Sequence, residues 1–303
     1  YDCWWGFTTL PNVNEEEPSY REFICGPNGV LSYWMKRGAS GWRLDVADEL
    51  PDGFLEEIRR RVKQKSPNAY ILGEVWEDAS NKESYGQRRS YLLGSQLDSV
   101  MNYPWRTAVL DFVEGGDARL FRRRILELLD HYPRPAIRTL MNPLSTHDTP
   151  RARTVLGVRR QVDGLEQGNY QPTDEELARG GRGFQLGSLI QYTLPGFPSL
   201  YYGDEAGLTG FRDPWNRRCY PWGQEDQELL GFFKRLGQIR RKNAKAMREE
   251  IQFLSAAEGV AAYRRGGIVT AVCAAESVRS IDLAGRGELL VPVGGGGLKE
   301  GGL

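Results

Sequence analysis

The chain has 303 residues, with 40 Lys and Arg against 40 Asp and Glu, no formal net charge, and 40% hydrophobic residues. That length supports one or two domains with a real core, and the balance excludes wholesale disorder and the basic footprint of a nucleic-acid or anionic-lipid partner. No run of about 18 apolar residues occurs, which excludes a membrane-spanning helix.

The chain opens at Tyr1 with neither Met nor a charged-then-apolar leader, as expected of a processed start or of a piece of a larger protein. Cys3, Cys25, Cys219 and Cys273 are scattered without Cys-x-x-Cys spacing. They read as free thiols in a reducing compartment, the cytoplasm, rather than as a disulfide framework or zinc site. Short apolar runs at 41–47, 70–76, 97–102, 137–142 and 199–202 predict strands. Between them Phe54, Ile58 and Val62 recur at helical spacing, with Glu56, Arg59, Arg60 and Lys63 opposite. Leu120, Ile125, Leu128 and Leu129 mark a second helix with Asp117 placed to cap it. Residues 157–181 read as a long surface loop with one short helix at 173–179. A third helix, from Leu229 to Ile239, ends in Arg240-Arg241-Lys242, charges suited to a helix C-terminus. This cluster, Arg59-Arg60-Arg61 and Arg122-Arg123-Arg124 are expected on solvated helix faces.

Strand alternating with helix predicts an α/β fold with a parallel sheet and right-handed crossovers. After residue 243 the texture changes to short β-type runs at 251–254, 260–264, 268–274, 278–283 and 288–293, broken by glycine pairs. These predict a small antiparallel β domain, and the glycines of 294–302 a flexible tail.

Three acids sit where α/β folds place their chemistry, at the C-terminal ends of strands. Asp45 closes Gly-Trp-Arg-Leu-Asp, Glu74 closes Tyr-Ile-Leu-Gly-Glu, and Asp148 follows His147 after the run at 137–142. Two carboxylates about 5–5.5 Å apart suit double-displacement glycoside hydrolysis, one as nucleophile and one as proton donor. The two then need different surroundings, so that one stays ionised while the other keeps its proton. Arg43, two residues before Asp45, lies on the same strand face and is placed to hold that carboxylate ionised and oriented.

The wording around these acids resembles the α-amylase superfamily, glycoside hydrolase family 13. Gly41-Trp42-Arg43-Leu44-Asp45-Val46-Ala47-Asp48-Glu49 resembles the family's nucleophile strand, and Gly73-Glu74-Val75-Trp76 its acid/base strand. Ser145-Thr146-His147-Asp148-Thr149-Pro150-Arg151 resembles its third-carboxylate segment. Leu10-Pro11-Asn12-Val13-Asn14 is similar to the signature near the end of the inserted domain B, and residues 198–205, with Tyr201-Tyr202-Gly203-Asp204-Glu205, to the strand-8 loop. The resemblance implies that Asp45 is the nucleophile, Glu74 the general acid/base and Asp148 the transition-state stabiliser. It also implies that His147 binds beside Asp148 and that Trp76 offers an apolar platform to a sugar.

Asp48-Glu49 stands where many secreted α-amylases carry Lys-His and is closer to the Asn-Glu of neopullulanases and cyclomaltodextrinases. Asp213-Pro214-Trp215-Asn216-Arg217 resembles their strand-8 loop, which implies that Asp213 and Arg217 bind sugar on the non-reducing side. The departure from Lys-His removes a histidine associated with the family's calcium site, so neither metal nor cofactor is expected. The implied fold is a partial (β/α)8 TIM barrel, strands 4 to 8, over residues 1–243, followed by a small antiparallel β-sandwich domain over 244–303. The family's first signature does not occur, which implies that strands 1 to 3 precede Tyr1 and that the chain alone aggregates or is inactive on maltooligosaccharides while the parent protein is active. The implied reaction is retaining hydrolysis of α-1,4-glucosidic bonds in maltooligosaccharides, cyclodextrins, pullulan or starch. Transglycosylation of α-glucans, an inactive fragment and a non-catalytic transporter subunit are the competing readings. The last of these lacks the full triad and carries a membrane span.

Overall fold

Apolar side chains repeating at helical spacing and short β-branched runs alternate along most of the chain, and the computed structural model, which describes residues 1–275, 279–280 and 287–294, follows them. The strands are β1 (Gly41–Leu44), β2 (Tyr70–Gly73), β3 (Glu83–Ser84), β4 (Gln87–Arg88), β5 (Ser99–Val100), β6 (Met141–Pro143) and β7 (Phe197–Ser199), then β8 (Ile251–Ala257), β9 (Val260–Arg265) and β10 (Ile268–Cys273). The helices are α1 (Pro18–Cys25), α2 (Val30–Lys36), α3 (Asp52–Lys65), α4 (Tyr103–Val113) and α5 (Ala118–His131), then α6 (Arg134–Arg138), α7 (Ala152–Gly157), α8 (Asp174–Thr193) and α9 (Gln227–Lys242). Packing divides the chain into two units: Tyr1–Met101 with His131–Thr139, and Asn102–Asp130 with everything from Leu140 on.

In the first unit β1, β2 and β5 form a parallel sheet in that order, with Leu44 opposite Gly73 and Gly73 opposite Val100. Helix α3 connects β1 to β2 and buries Phe54, Ile58 and Val62, as their spacing predicts. The basic run on this helix is not uniformly solvated. Arg59 and Lys63 both reach Asp98, at 2.9 and 2.7 Å, while Arg61 donates to the carbonyl of Cys25. Long basic side chains keep their stems on the apolar face and send their charge to a partner. Burial raises the Asp98 carboxyl, but Lys63, Arg59 and the Ile71 N–H outweigh it and hold it below its ordinary value. The run at 137–142 is divided: Ile137 and Arg138 end α6, which prolines at 133 and 135 start with their fixed φ.

In the second unit β6 and β7 pair in parallel, Met141 opposite Phe197 and Pro143 opposite Ser199. The last predicted barrel strand therefore lies two residues earlier than 199–202. Tyr201 to Gly203 turn instead, with Asp204 N donating to Tyr201 O at 3.1 Å. Helix α5 buries Phe121, Ile125 and Leu128, with Leu120 and Leu129 only half-buried, and Asp117 accepts from the Arg119 N–H at 2.8 Å. The short helix expected at 173–179, at the end of the loop 157–181, is the start of a much longer one. Thr173 and Glu176 close a reciprocal capping box, at 3.2 and 2.9 Å, and α8 runs on to Thr193. Its glycines, which read as loop, are a packing surface: a Cβ on Gly180 would lie 2.2 Å from the Arg153 carbonyl oxygen of α7. Arg240 also leaves the solvated face, donating to the carbonyls of Tyr192 and Gly196.

Beyond α9 the antiparallel sheet β8-β9-β10 replaces the alternation. Tyr263 of β9 lies 2.7 Å from the Thr193 hydroxyl, and Arg265 donates to the carbonyls of Thr193 and Leu194, so the sheet is tied to the end of α8. The run expected at 288–293 is not a strand. That at 278–283 lies, except for 279–280, outside the described residues, as does the tail after Gly294.

Phe121 is 1% exposed, stacked on Phe112 at 4.8 Å and edge-on to Phe253 at 6.1 Å. Phe121→Ala is therefore expected to cost about 3–5 kcal/mol of stability by urea denaturation. A loss below about 1 kcal/mol would contradict this packing.

Candidate active site

Register brings two acids to the same end of the first unit's sheet. The pairing of β1 with β2 continues past both strands, with Glu74 N donating to Leu44 O at 3.0 Å and Ala47 N to Glu74 O at 3.1 Å. Asp45 and Glu74 thus leave adjacent strands together. Gly73 beside them leaves room for Leu97, whose Cδ1 would stand 2.3 Å from a Cβ at that position.

Arg43 is shared between the two carboxylates. Its Nη1 pairs with Asp45 Oδ1, and its Nη2 lies 2.9 Å from Glu74 Oε2. Glu74 Oε2 also accepts from the Val46 N–H at 2.9 Å, and Oε1 from Trp76 Nε1 at 3.2 Å. The surroundings of the two acids differ sharply: the Glu74 side chain is 5% exposed and that of Asp45 75%. Val46 stands at φ 37°, a left-handed conformation costly for a β-branched residue. Its bond to Glu74 and the neighbouring Ala47 bond hold that turn. Trp76 is 45% exposed, so its ring is a surface rather than core.

The turn beyond Asp45 is anchored further on. Asp48 accepts from the Tyr91 hydroxyl at 2.6 Å and pairs with Lys82 at 3.0 Å, while Lys82 also pairs with Glu77 at 2.6 Å. Burial acts to lower the Lys82 ammonium, but Glu77 and Asp48 outweigh it and raise it above its ordinary value.

The second unit holds the other predicted residues. Residues 145–151 form a tight polar turn, with Thr146 N donating to Thr149 Oγ1 at 2.9 Å and Asp148 N to Thr146 Oγ1 at 3.2 Å. His147 Nε2 lies 2.9 Å from Asp148 Oδ2. Arg217 Nη2 approaches Asp148 Oδ1 at 3.5 Å, and its Nε lies 2.6 Å from Asp213 Oδ1 and 3.2 Å from the His147 carbonyl. Asp148, His147, Asp213 and Arg217 therefore form one cluster. The pair Asp213–Arg217 is more than an isolated i,i+4 ion pair, because Arg217 has two further partners.

Two buried side chains shape this cluster and were not singled out from sequence. Asn216, wholly buried, directs its Nδ2 at the carbonyls of Thr146, His147 and Thr149, at 3.1, 2.7 and 2.9 Å. Arg151, also wholly buried, donates to the carbonyls of Asn216 and Tyr202 and pairs with Asp204 at 2.8 Å. Its guanidinium stands 4.5 and 5.0 Å from the ring centres of Tyr201 and Tyr202. The only signal for them was position: Asn216 lies between Asp213 and Arg217, and Arg151 closes the segment around Asp148.

Among the described residues, no group of three or more His, Cys, Asp or Glu side chains is arranged to hold a metal ion, and no helix is long and apolar enough to cross a membrane. Burial pushes the Cys25 thiol up to about 11, which leaves it protonated and inert.

Comparison with known proteins places these clusters in context. The family described as "Alpha amylase, catalytic domain" matches residues 3–253. An amylopullulanase of Thermoanaerobacter thermohydrosulfuricus is 36% identical over 290 residues, covering 88% of this chain and 19% of that protein. A cyclomaltodextrinase of a Bacillus species is 36% identical over 261 residues, covering 84% of this chain and 41% of that protein. Among solved structures, a debranching enzyme of Nostoc punctiforme soaked with acarbose superposes with a TM-score of 0.75 at 31% identity, over 91% of this chain and 56% of that one. The chain thus spans 19%, 41% and 56% of these three proteins, and the shared architecture is of the TIM-barrel type.

The buried pair in the second unit gives a pH test. Burial pushes the Asp204 carboxyl from 3.8 up to about 6, against the pull of Arg151 and Ser145. With the higher value in the folded state, the stability contributed by this group is complete below about pH 4 and is lost as pH rises to about 6. Measured by urea denaturation, the stability of the wild type relative to Asp204→Asn should fall across that window and level off above it. A difference that stays flat from pH 4 upward would contradict the assignment.

Proposed function

The chain belongs to the α-amylase family, and from that premise we propose that it carries the catalytic carboxylates of a retaining glycosidase. Its substrates on this reading are α-1,4-linked glucans: maltooligosaccharides, cyclodextrins, pullulan or starch. Residues 1–243 supply strands 4 to 8 of the (β/α)8 barrel, and residues 244–303 the C-terminal β domain. The order of parallel pairs, followed by an antiparallel sheet after Lys242, supports that division.

The observation that carries the reading is the Arg43 fork between an open Asp45 and a buried Glu74. Carboxylates one guanidinium apart suit a mechanism in which one attacks the sugar directly, without room for a water between them. Asp45 attacks the anomeric carbon as Glu74 gives its proton to the departing glycosidic oxygen. The bond to the leaving sugar breaks and an ester to Asp45 forms. Glu74, now a carboxylate, takes a proton from water, which attacks the same carbon and releases Asp45 with net retention. Asp148 and His147 bind hydroxyls of the sugar while positive charge develops on its ring, Arg217 and Asp213 hold the unit on the non-reducing side, and Trp76 offers its exposed ring as a platform. The reaction draws on no metal or cofactor.

The acid role of Glu74 is tested in the full-length protein with two leaving groups. Glu74→Gln should lose about 10²–10⁴-fold in turnover of maltotriose, whose leaving alkoxide needs a proton. On maltosyl fluoride, whose fluoride leaves with little acid help, the loss in the first step should be far smaller. Equal losses on both would contradict the assignment.

A further inference from the structure

Between β2 and β5, where every residue is described, the chain forms the short strands β3 and β4 and no helix. The segment after Glu74 is therefore held by side-chain contacts, and three consecutive residues carry much of that hold. Asp78 Oδ1 accepts from the Ser80 N–H at 2.9 Å and from the Ser80 hydroxyl at 2.6 Å, while Oδ2 lies 2.5 Å from His131 Nδ1. The Ala79 N–H donates at 2.8 Å to the hydroxyl of Tyr132, the residue after His131. The Ser80 carbonyl accepts from Arg88 Nη2 at 3.0 Å. Burial raises the Asp78 carboxyl, but Ser80 and His131 outweigh it and hold it below its ordinary value. An ionised carboxylate can only accept, so Nδ1 of His131 carries the hydrogen.

What this anchor controls lies a few residues earlier. Glu74 Oε2 faces Arg43 Nη2 and the Val46 N–H, both at 2.9 Å. A proton on Oε2 would point among donors, so the proton of the acid belongs on Oε1. That oxygen faces Trp76 Nε1 at 3.2 Å. An indole N–H can occupy one lone pair of a hydroxyl oxygen whose hydrogen points elsewhere. Trp76 is 45% exposed, so no core encloses its ring, and the course of its backbone decides where the indole N–H points.

We propose that Asp78 and His131 are positioning residues for the acid step: by pinning the backbone at 78–80 they keep the Trp76 indole N–H on Glu74 Oε1, the oxygen from which the proton leaves. The Oε1–H bond breaks as the proton joins the departing glycosidic oxygen, and the indole N–H then donates to the carboxylate that remains. In this role neither Asp78 nor His131 touches the sugar. The inference rests on the glycosidase reading and adds to it where on Glu74 the proton sits and what holds its neighbour in place.

The test compares kcat/KM on maltotriose and on maltosyl fluoride in the full-length protein, a quantity that reports the steps up to the glycosyl-enzyme. His131→Leu removes the Nδ1 donor, whereas His131→Asn keeps an N–H close to its place and covers the case in which the leucine variant fails to fold. His131→Leu should lose about tenfold on maltotriose, part of the 10²–10⁴-fold that general-acid catalysis supplies, and little on maltosyl fluoride. His131→Asn should recover most of that loss. In a Trp76→Phe background, which keeps a ring and removes the N–H, His131→Leu should cost little more, because both act through one hydrogen bond. Equal losses on the two substrates, the same loss again in the Trp76→Phe background, or unchanged maltotriose cleavage by a folded His131→Leu would each overturn the positioning role and leave the glycosidase reading intact. A wild type that cleaves neither substrate would remove that reading and this role with it.

Discussion

Everything proposed for the first unit depends on one guanidinium held between two carboxylates. Arg43 spans from Asp45, three quarters exposed, to Glu74, almost wholly buried. A buried polar side chain left without its hydrogen-bond partners costs about 1–3 kcal/mol, so the arrangement is a structural constraint as well as a chemical one. It requires β1 and β2 to pair in a single register, because a slip of one residue would turn Arg43 or Glu74 to the other face. Several local features hold that register. Gly73 admits Leu97, the backbone of Glu74 bonds to Leu44 and Ala47, and Val46 accepts a left-handed conformation so that its N–H meets Glu74. Strain at Val46 is thus offset by hydrogen bonds to the acid that it orients.

The second unit solves a similar problem with uncharged partners and one buried ion pair. A tight turn such as 145–151 points several carbonyls in directions that no strand or helix satisfies. Asn216 gathers three of them, and Arg151 secures the backbone on which Asn216 sits. Asp148 and His147 are then displayed from a frame whose own polar groups are met, and Arg217 is left to reach them from outside. Rigid support of this kind is what a group that contacts a transition state needs, because displacement by about 1 Å can cost a hundredfold.

The strand-end acids and the helix of Phe54, Ile58 and Val62 were legible because each rests on a local pattern: a short apolar run ending in a carboxylate, or a stripe at helical spacing. The family was legible from the same segments. What escaped was set by contacts distant in sequence. Gly180 and Gly157 look like loop residues, and only the approach of α7 to α8 shows why helices there need them. Arg59 and Arg240 look solvated, and their partners Asp98 and the Tyr192 carbonyl lie dozens of residues away. Ile137 carries a β-type side chain but follows two prolines that start a helix. Asn216 and Arg151 are ordinary polar residues in sequence, and their role appears only once the carbonyls they meet are known.

The central claim is that Asp45 forms the covalent bond to sugar. The most direct measurement is to incubate the full-length protein with 5-fluoro-α-maltosyl fluoride, whose ring fluorine slows breakdown of the intermediate, and to map the adduct by peptide mass spectrometry. The account predicts one added 5-fluoromaltosyl group on the peptide spanning residues 41–49, located on Asp45 and absent from Asp45→Ala. An adduct on Glu74 or Asp148 instead, or steady turnover with inverted products and no adduct at all, would contradict it.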